Sequence, residues 1–272
     1  MWKPAVRSFA DNAPARLPLT GPDYSNTASN RRIPLESTPY CPAPPSVLLN
    51  ILAIDTSTEY CSVALMLGNE LASRVERAGQ RHSELLLPMV EALLGEAGLK
   101  LALLDGIAFG AGPGSFTGLR IACGVAQGLA LGAGVPVVPV GTLLALAHAS
   151  KADRVLACLD ARMGEIYHAA YERTGSGWRE AVAPNVCRAD QAPEVGHGDW
   201  TGIGSGFATY AGELALRYGN RLSAIDAEAF PHARAIAELA LPQLNAGRGL
   251  PAEQAVPLYV RDRVALKMHE QR

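Results

Sequence analysis

From residue 48 onward, short apolar runs alternate with longer segments in which apolar residues recur every three or four positions. The short runs are typical of strands and the periodic segments are typical of helices. The pattern predicts strands over 49–54, 60–67 and 70–76, a helix over 83–97, a strand over 106–109, a helix from about 115, and a strand over 136–140. Thr142 is predicted to cap a further helix. This order indicates an α/β fold with a mixed sheet.

The pattern then partly repeats. Residues 155–160 resemble residues 51–55, because each run is a predicted buried strand that ends in an aspartate, Asp160 or Asp55. Each run is followed by a tight turn and a second strand. We therefore predict a duplicated unit, divided into subdomains over 47–150 and 151–272.

Residues 1–46 differ from the rest of the chain. Nine of the 19 prolines fall within this segment, and it has no apolar periodicity. Such a composition cannot bury enough apolar surface to fold. We expect a disordered extension that is dispensable for folding.

Composition narrows the possible functions. The chain is 49% hydrophobic and 18% charged, and its formal net charge of −2 gives no overall field that attracts nucleic acid. The five cysteines are odd in number and none has C-x-x-C spacing, so free thiols are expected rather than disulfides or a zinc site. Residues 121–148 lack charged side chains, but glycines and prolines interrupt them, so a helix, a turn and a buried strand are predicted rather than a membrane span.

The glycine-rich segment over 110–118 is the most distinctive motif. It lacks the Gly-Lys-Ser/Thr of a Walker loop, and its glycines are spaced G-x-G-x-x-x-G rather than as in a dinucleotide-binding loop. The sequence predicts a tight strand-to-helix turn capped by Ser115, whose exposed amides could still meet an anion. The motif-turn residues are Gly112, Gly114, Ser115, Thr117 and Arg120.

Other candidate residues each have two interpretations. Asp55 could hold a metal–nucleotide complex through water, but a turn residue after a strand is favoured. His82 could be a metal ligand, but the position one helical turn later is Leu86 and not a second histidine. A triad of Ser115, His82 and Asp55 is conceivable, but no G-x-S-x-G motif supports it.

The predicted helix over 83–97 has an unusually wide apolar face. Its apolar residues span an arc of about 200°, whereas one sheet needs a stripe of about 100°. The excess could meet the neighbouring helix or another protein. The candidate partner-interface residues are His82, Leu86, Met89, Val90, Leu93 and Ala97.

Four segments, 51–58, 82–89, 112–121 and 160–167, resemble the TsaB family, also called YeaZ. The string Gly-Pro-Gly-Ser-Phe-Thr-Gly over 112–118 is the most specific of these matches, and 257–262 resemble the family's closing segment. The resemblance implies a duplicated RNase H-like, actin-like ATPase fold with two mixed sheets flanked by helices.

The same resemblance implies a cytoplasmic, non-catalytic subunit that pairs with a TsaD-like transferase and a TsaE-like ATPase to form threonylcarbamoyladenosine in tRNA. No cofactor, metal or membrane is expected, tRNA is expected to be met only through the complex, and the isolated chain could form a homodimer. An active actin-like ATPase or transferase is the alternative, and a peptidase is a weaker one.

Overall fold

The computed structural model describes residues 48–175 and 177–261, so the predicted extension over 1–46 lies outside the described residues. The strands are β1 (Asn50–Asp55), β2 (Tyr60–Leu67), β3 (Glu70–Arg77), β4 (Gly106–Gly112), β5 (Val137–Gly141), β6 (Arg154–Arg162), β7 (Glu165–Thr174), β8 (Gly177–Arg188), β9 (Trp200–Ile203) and β10 (Leu222–Asp226). The helices are α1 (His82–Glu96), α2 (Phe116–Ala133), α3 (Thr142–Ala149), α4 (Ser205–Thr209), α5 (Ala211–Tyr218) and α6 (Ala233–Asn245).

The strands form two five-stranded mixed sheets with the same topology. The first sheet has the order β3-β2-β1-β4-β5 and the second has the order β8-β7-β6-β9-β10. In each sheet the central strand pairs antiparallel with the next strand in sequence and parallel with the fourth. The predicted α/β fold with a duplicated unit is therefore confirmed.

Helices cover both faces of the first sheet. Apolar residues of α1 and α2 share one core with β1, β2 and β4, and α6 packs on the opposite face. The chain thus returns from the second sheet to the first, since α6 follows β10 in sequence. Helix α3 contributes to the cores of both sheets through residues such as Ala145 and Leu146.

Helix α2 is the one helix among residues 48–175 and 177–261 that is long and apolar enough to cross a membrane. This is weak evidence for a membrane span, because a core helix of a globular protein meets the same criterion. Leu119, Ala122 and Ala126 of α2 are buried within the chain. The inner face of α2 is therefore explained by packing on the first sheet.

The second half buries a histidine, His168, with no exposed surface. Its Nε2 lies 2.7 Å from the hydroxyl of Tyr218, which donates to the carbonyl of Pro193 at 3.1 Å. The hydroxyl therefore accepts from Nε2–H, while Asn185 lies 3.5 Å from Nδ1. Burial lowers the pKa of His168 to about 4, with a smaller contribution from Arg217.

We expect His168 to destabilise the fold in acid. Between its pKa of about 4 in the fold and the ordinary value of 6.5, the unfolded chain binds the extra proton, so stability falls as the pH falls. Relative to His168→Gln, the parent should lose at most about 1.4 kcal/mol per pH unit in this window. Urea unfolding at several pH values measures the difference, and parallel curves for the two proteins would contradict the assignment.

Candidate functional site at the cleft between the sheets

The turn after β1 is built around Asp55, which is 1% exposed. Its Oδ1 accepts from the backbone N–H of Ser57 at 3.0 Å and from the Ser57 hydroxyl at 2.8 Å. This is an Asx turn, in which the side chain bonds the backbone two residues later. The turn interpretation of Asp55 therefore agrees with the geometry better than a role as an open ligand.

The second oxygen of Asp55 is buried without a hydrogen-bond partner. It lies against Gly110 of β4, where an added Cβ would come within 1.8 Å of it. Desolvation raises the pKa of Asp55 to about 7, and its two bonds from Ser57 oppose that shift without cancelling it. Near neutral pH a substantial fraction of this carboxyl group is thus protonated.

The turn before α2 is locked against the turn after β1. The backbone N–H of Ser115 donates to the carbonyl of Ser57 at 2.8 Å, and the Thr56 hydroxyl donates to the carbonyl of Gly118 at 2.7 Å. A Cβ on Gly118 would lie 1.9 Å from the Thr56 carbonyl oxygen, and one on Gly114 would lie 2.5 Å from that of Ser57. These glycines let the two backbones approach closely.

Ser115 caps α2 as the sequence predicts, because its hydroxyl accepts from the N–H of Gly118 at 3.3 Å. The predicted cap at Thr142 is wrong. Thr142 is the first residue of α3, the N-cap position is Gly141, and no side chain caps this helix. The Thr142 hydroxyl instead accepts from the N–H of Gly112 at 3.0 Å, so it fixes the glycine-rich turn to β5 and α3.

An open cleft of about 950 Å³ lies between the two sheets, and the N-terminus of α2 opens into it. Its walls include the turn after β1, the start of α1, the β6–β7 turn and residues 258–261. At the β6–β7 turn, Asp160 accepts from the backbone N–H of Arg162 at 2.8 Å, which repeats the Asp55 turn in the second half. Arg162 and Met163 both have positive φ angles there.

Residues 258–261 cross the cleft and join its two sides. The N–H of Leu258 donates to the carbonyl of Ala111 at 2.7 Å. Arg261 donates to the carbonyl of Ala161 at 3.1 Å and forms an ion pair with Glu165. Residues 257–262 resemble a family segment, but their local pattern of apolar and polar residues does not predict these contacts.

His82 lies on the cleft wall but is 6% exposed, and its Nε2 has no hydrogen-bond partner. Leu86, one turn later, lies in the apolar core. Within the described ranges, no three His, Cys, Asp or Glu side chains converge as a metal site would require. Ser115 caps a helix and Asp55 bonds Ser57, so the described hydrogen bonds do not assemble a Ser/His/Asp triad.

The structure corrects the expected orientation of α1. The four central interface candidates lie in the chain's own core, with Leu86 at 0%, Met89 at 4%, Val90 at 3% and Leu93 at 3% exposure. They pack on the first sheet and beside α2, so a charged residue at position 93 would enter this core. Among the remaining candidates, His82 is buried and Ala97 is exposed at the end of the helix.

A methyl group at Gly118 should test the contact between the two turns. We expect Gly118→Ala to lower the free energy of unfolding by about 1–3 kcal/mol, because backbone atoms must move to admit the Cβ. Gly124→Ala is a matched control on the same helix, because nothing lies within 4 Å of its added Cβ. That variant should gain about 0.5–1 kcal/mol. Equal effects in urea unfolding would contradict the close approach at Gly118.

Asp55→Asn should remove a pH dependence opposite in sign to that of His168. Because the pKa of Asp55 is raised to about 7, the folded chain binds the extra proton from about pH 4 to 7, so stability falls as the pH rises. The slope is at most about 1.4 kcal/mol per pH unit. Subtracting the variant's unfolding curve from the parent's isolates this effect, and a difference that does not vary with pH would refute the raised pKa.

Comparison with known proteins places the chain among tRNA-modification proteins. Residues 66–265 match the family model described as TsaD, tRNA N6-adenosine threonylcarbamoyltransferase. Two relatives bear the name "tRNA threonylcarbamoyladenosine biosynthesis protein TsaB". The Escherichia coli (strain K12) protein is 38% identical over 80% of this chain and 97% of its own length. The Haemophilus influenzae protein is also 38% identical, over 80% of this chain and 96% of its own length.

Solved structures agree with these sequence matches. The structure of YeaZ from Pseudomonas aeruginosa has 40% sequence identity and a TM-score of 0.71. The superposition covers 78% of this chain and 99% of that chain. A match over 78% of this chain is longer than either five-stranded half, so it extends into both.

Proposed function

This chain belongs to the TsaB family, whose role is the biosynthesis of threonylcarbamoyladenosine in tRNA, and from that premise we propose that it acts there as a non-catalytic subunit. In this proposal it assembles with a TsaD-like transferase and supports the modification without carrying out the transfer itself. The partner is inferred from the family name and from the match to the TsaD family model.

The structural observation that carries the proposed assembly is the outer face of α2. Gly124, Gly128 and Gly132 recur every four residues along this face, and a Cβ added at any of them would meet nothing within 4 Å. Leu131 lies beside them and is 76% exposed. Glycine weakens a helix, so three exposed glycines have no explanation in this chain's own packing.

In the proposed assembly, helix α1 contributes to the same interface. It shares a core with α2 on one face of the first sheet, and its outward residues include Leu87, which is 49% exposed, and the exposed Pro88. Small residues let a second helix pair approach the backbone closely. A related subunit that presents an equivalent pair of helices would complete a four-helix bundle. We therefore assign the contact with the partner to the exposed faces of α1 and α2, and not to the buried residues that the sequence suggested.

The geometry of the first turn supports a non-catalytic role. Asp55 is buried. One of its oxygens accepts hydrogen bonds within its own turn and the other faces Gly110, so the carboxyl group is not exposed to the cleft. An active actin-like ATPase or transferase is the competing proposal. ATP turnover or threonylcarbamoyl transfer by the purified chain alone would favour that alternative over ours.

We extend the proposal to the other expected partners. A TsaE-like ATPase would join the assembled pair, and two copies of this chain could pair through the same helices in the absence of the TsaD-like subunit. The complex would act in the cytoplasm. The homodimer and the mixed complex would compete for one surface, which is a consequence of assigning both to α1 and α2.

Gly128→Leu should separate assembly from folding. Gly128 is exposed and an added Cβ meets nothing within 4 Å, so we expect the variant to remain folded but to block a close helix–helix approach. We expect association with the TsaD-like protein to weaken at least about tenfold, with a matching loss of modified tRNA. Titration calorimetry measures binding, and nucleoside analysis measures the modification.

Gly212→Leu is the matched control, since it places the same side chain at an open helical glycine on α5, in the other half of the chain. Both variants should show the circular dichroism and thermal unfolding of a folded protein. If Gly128→Leu binds the partner as tightly as Gly212→Leu, the interface lies on another surface and this part of the proposal fails.

A further inference from the structure

Two aromatic rings and an arginine meet at the rim of the cleft, where residues 258–261 pass the N-terminus of α2. We call Phe116, Arg120 and Tyr259 the rim cluster. The Arg120 guanidinium carbon lies 3.8 Å from the centroid of the Phe116 ring, and its Nε donates to the Tyr259 hydroxyl at 3.1 Å. The two ring centroids are 5.7 Å apart. The guanidinium is therefore held in a defined orientation by two side chains.

The rim cluster remains accessible to a ligand. Phe116 is 39% exposed, Tyr259 is 46% exposed and Arg120 is also exposed. Among the residues that the structure describes, no carboxylate forms an ion pair with Arg120, whereas Arg162 and Arg261, which line the cleft, each have one. Its terminal N–H groups can thus bind an anion, and an oriented guanidinium is well suited to phosphate.

The cleft beside the rim cluster has a different charge pattern. Its walls carry Glu59, Asp160 and Glu228, and the arginines near the β6–β7 turn are paired with carboxylates, Arg162 with Asp160 and Arg261 with Glu165. A polyanion would be disfavoured by these acidic groups. The two arginines that line the cleft are thus already paired, whereas Arg120 has no ion pair among the described residues, which favours an anionic ligand at the rim cluster.

We propose that the rim cluster is a direct RNA contact, in which Arg120 binds a backbone phosphate and the exposed rings stack on an unpaired base. RNA-binding proteins recognise splayed bases through aromatic rings and guanidinium planes. The charge of the phosphate complements the guanidinium, which has no ion pair among the described residues. The inference rests on the proposed function, which supplies tRNA as the substrate, and it departs from the expectation that tRNA is met only through other subunits.

The position of the cluster agrees with that function. Arg120 precedes Gly124 by four residues on α2, so the two lie on the same side of the helix. RNA bound at the rim would therefore run beside the surface that we assign to the TsaD-like partner. A strand held there could reach both subunits at once.

The test uses the assembled complex with a tRNA transcript that the parent complex modifies. We expect Arg120→Ala to raise the Kd for this tRNA about tenfold and to reduce the slope of log K against log salt by about 0.7–0.9, the effect of one lost phosphate contact. Tyr259→Ala should raise the Kd by at least a similar factor, because it removes both a stacking ring and the hydroxyl that accepts from Arg120. Fluorescence anisotropy at several salt concentrations gives both quantities.

Arg248→Ala is the control, because Arg248 is also exposed and forms no ion pair among the described residues. It should change neither the Kd nor the slope. Affinity for the TsaD-like partner is measured separately for each variant. If Arg120→Ala weakens partner binding but leaves the tRNA affinity of the assembled complex unchanged, the cluster is a protein interface and the inference is overturned.

An unchanged Kd and slope in Arg120→Ala would also overturn it. Failure of the proposed function gives a different result, since the parent complex itself would then not assemble or not modify the tRNA. The two failures are therefore distinguishable within one set of measurements.

Discussion

The close contact between the turn after β1 and the turn before α2 is the constraint on which the cleft depends. Gly118 faces the Thr56 carbonyl and Gly114 faces that of Ser57, with no room for a Cβ at either position. Two hydrogen bonds join the same backbones, from Ser115 to Ser57 and from Thr56 to Gly118. Since these contacts fix the first turn of α2, they also fix which side chains α2 presents at the cleft rim and along its outer face.

The second half of the chain uses the same topology with a different local solution. Its central strand also ends in an aspartate, and Gly204 and Gly206 lie close to Cys158 of β6 as the first-half glycines lie close to β1 and its turn. Asp160, however, retains 14% side-chain exposure and pairs with Arg162. Both halves therefore have glycines packed closely against the central strand or its turn, while the burial of the aspartate carboxyl group differs between them.

Much of the fold and part of the site could be predicted from sequence. Strand β2 was predicted with the bounds that the structure has, and Ser115 caps α2 as expected, because both depend on local patterns. The orientation of α1 could not be derived in this way. The width of the apolar arc indicates how much apolar surface α1 has. It does not indicate how much of that surface the sheet and α2 bury. Leu86 and Leu93 proved to be fully enclosed.

Long-range contacts were the other limit of sequence reasoning. Arg120 and Tyr259 are 139 positions apart, and residues 258–261 have no periodicity that would indicate where they lie. The wrong prediction for Thr142 has the same origin. A threonine before an apolar helix is typical of an N-cap, but the Thr142 hydroxyl accepts from the N–H of Gly112, which is 30 positions away in sequence. Tertiary partners thus decide the role of a side chain whose local pattern allows several.

The composition of α2 follows from two separate demands on one helix. Its inner face is small and apolar because Ala122, Ala126 and Ala130 pack on the sheet. Its outer face carries glycines that would each cost about 0.5–1 kcal/mol relative to alanine in a free helix. Such a cost persists only if something offsets it, and the inner face does not, because the glycines point away from the core. In the proposed assembly, packing against a second subunit would offset this cost, which the folding of the described residues alone does not do.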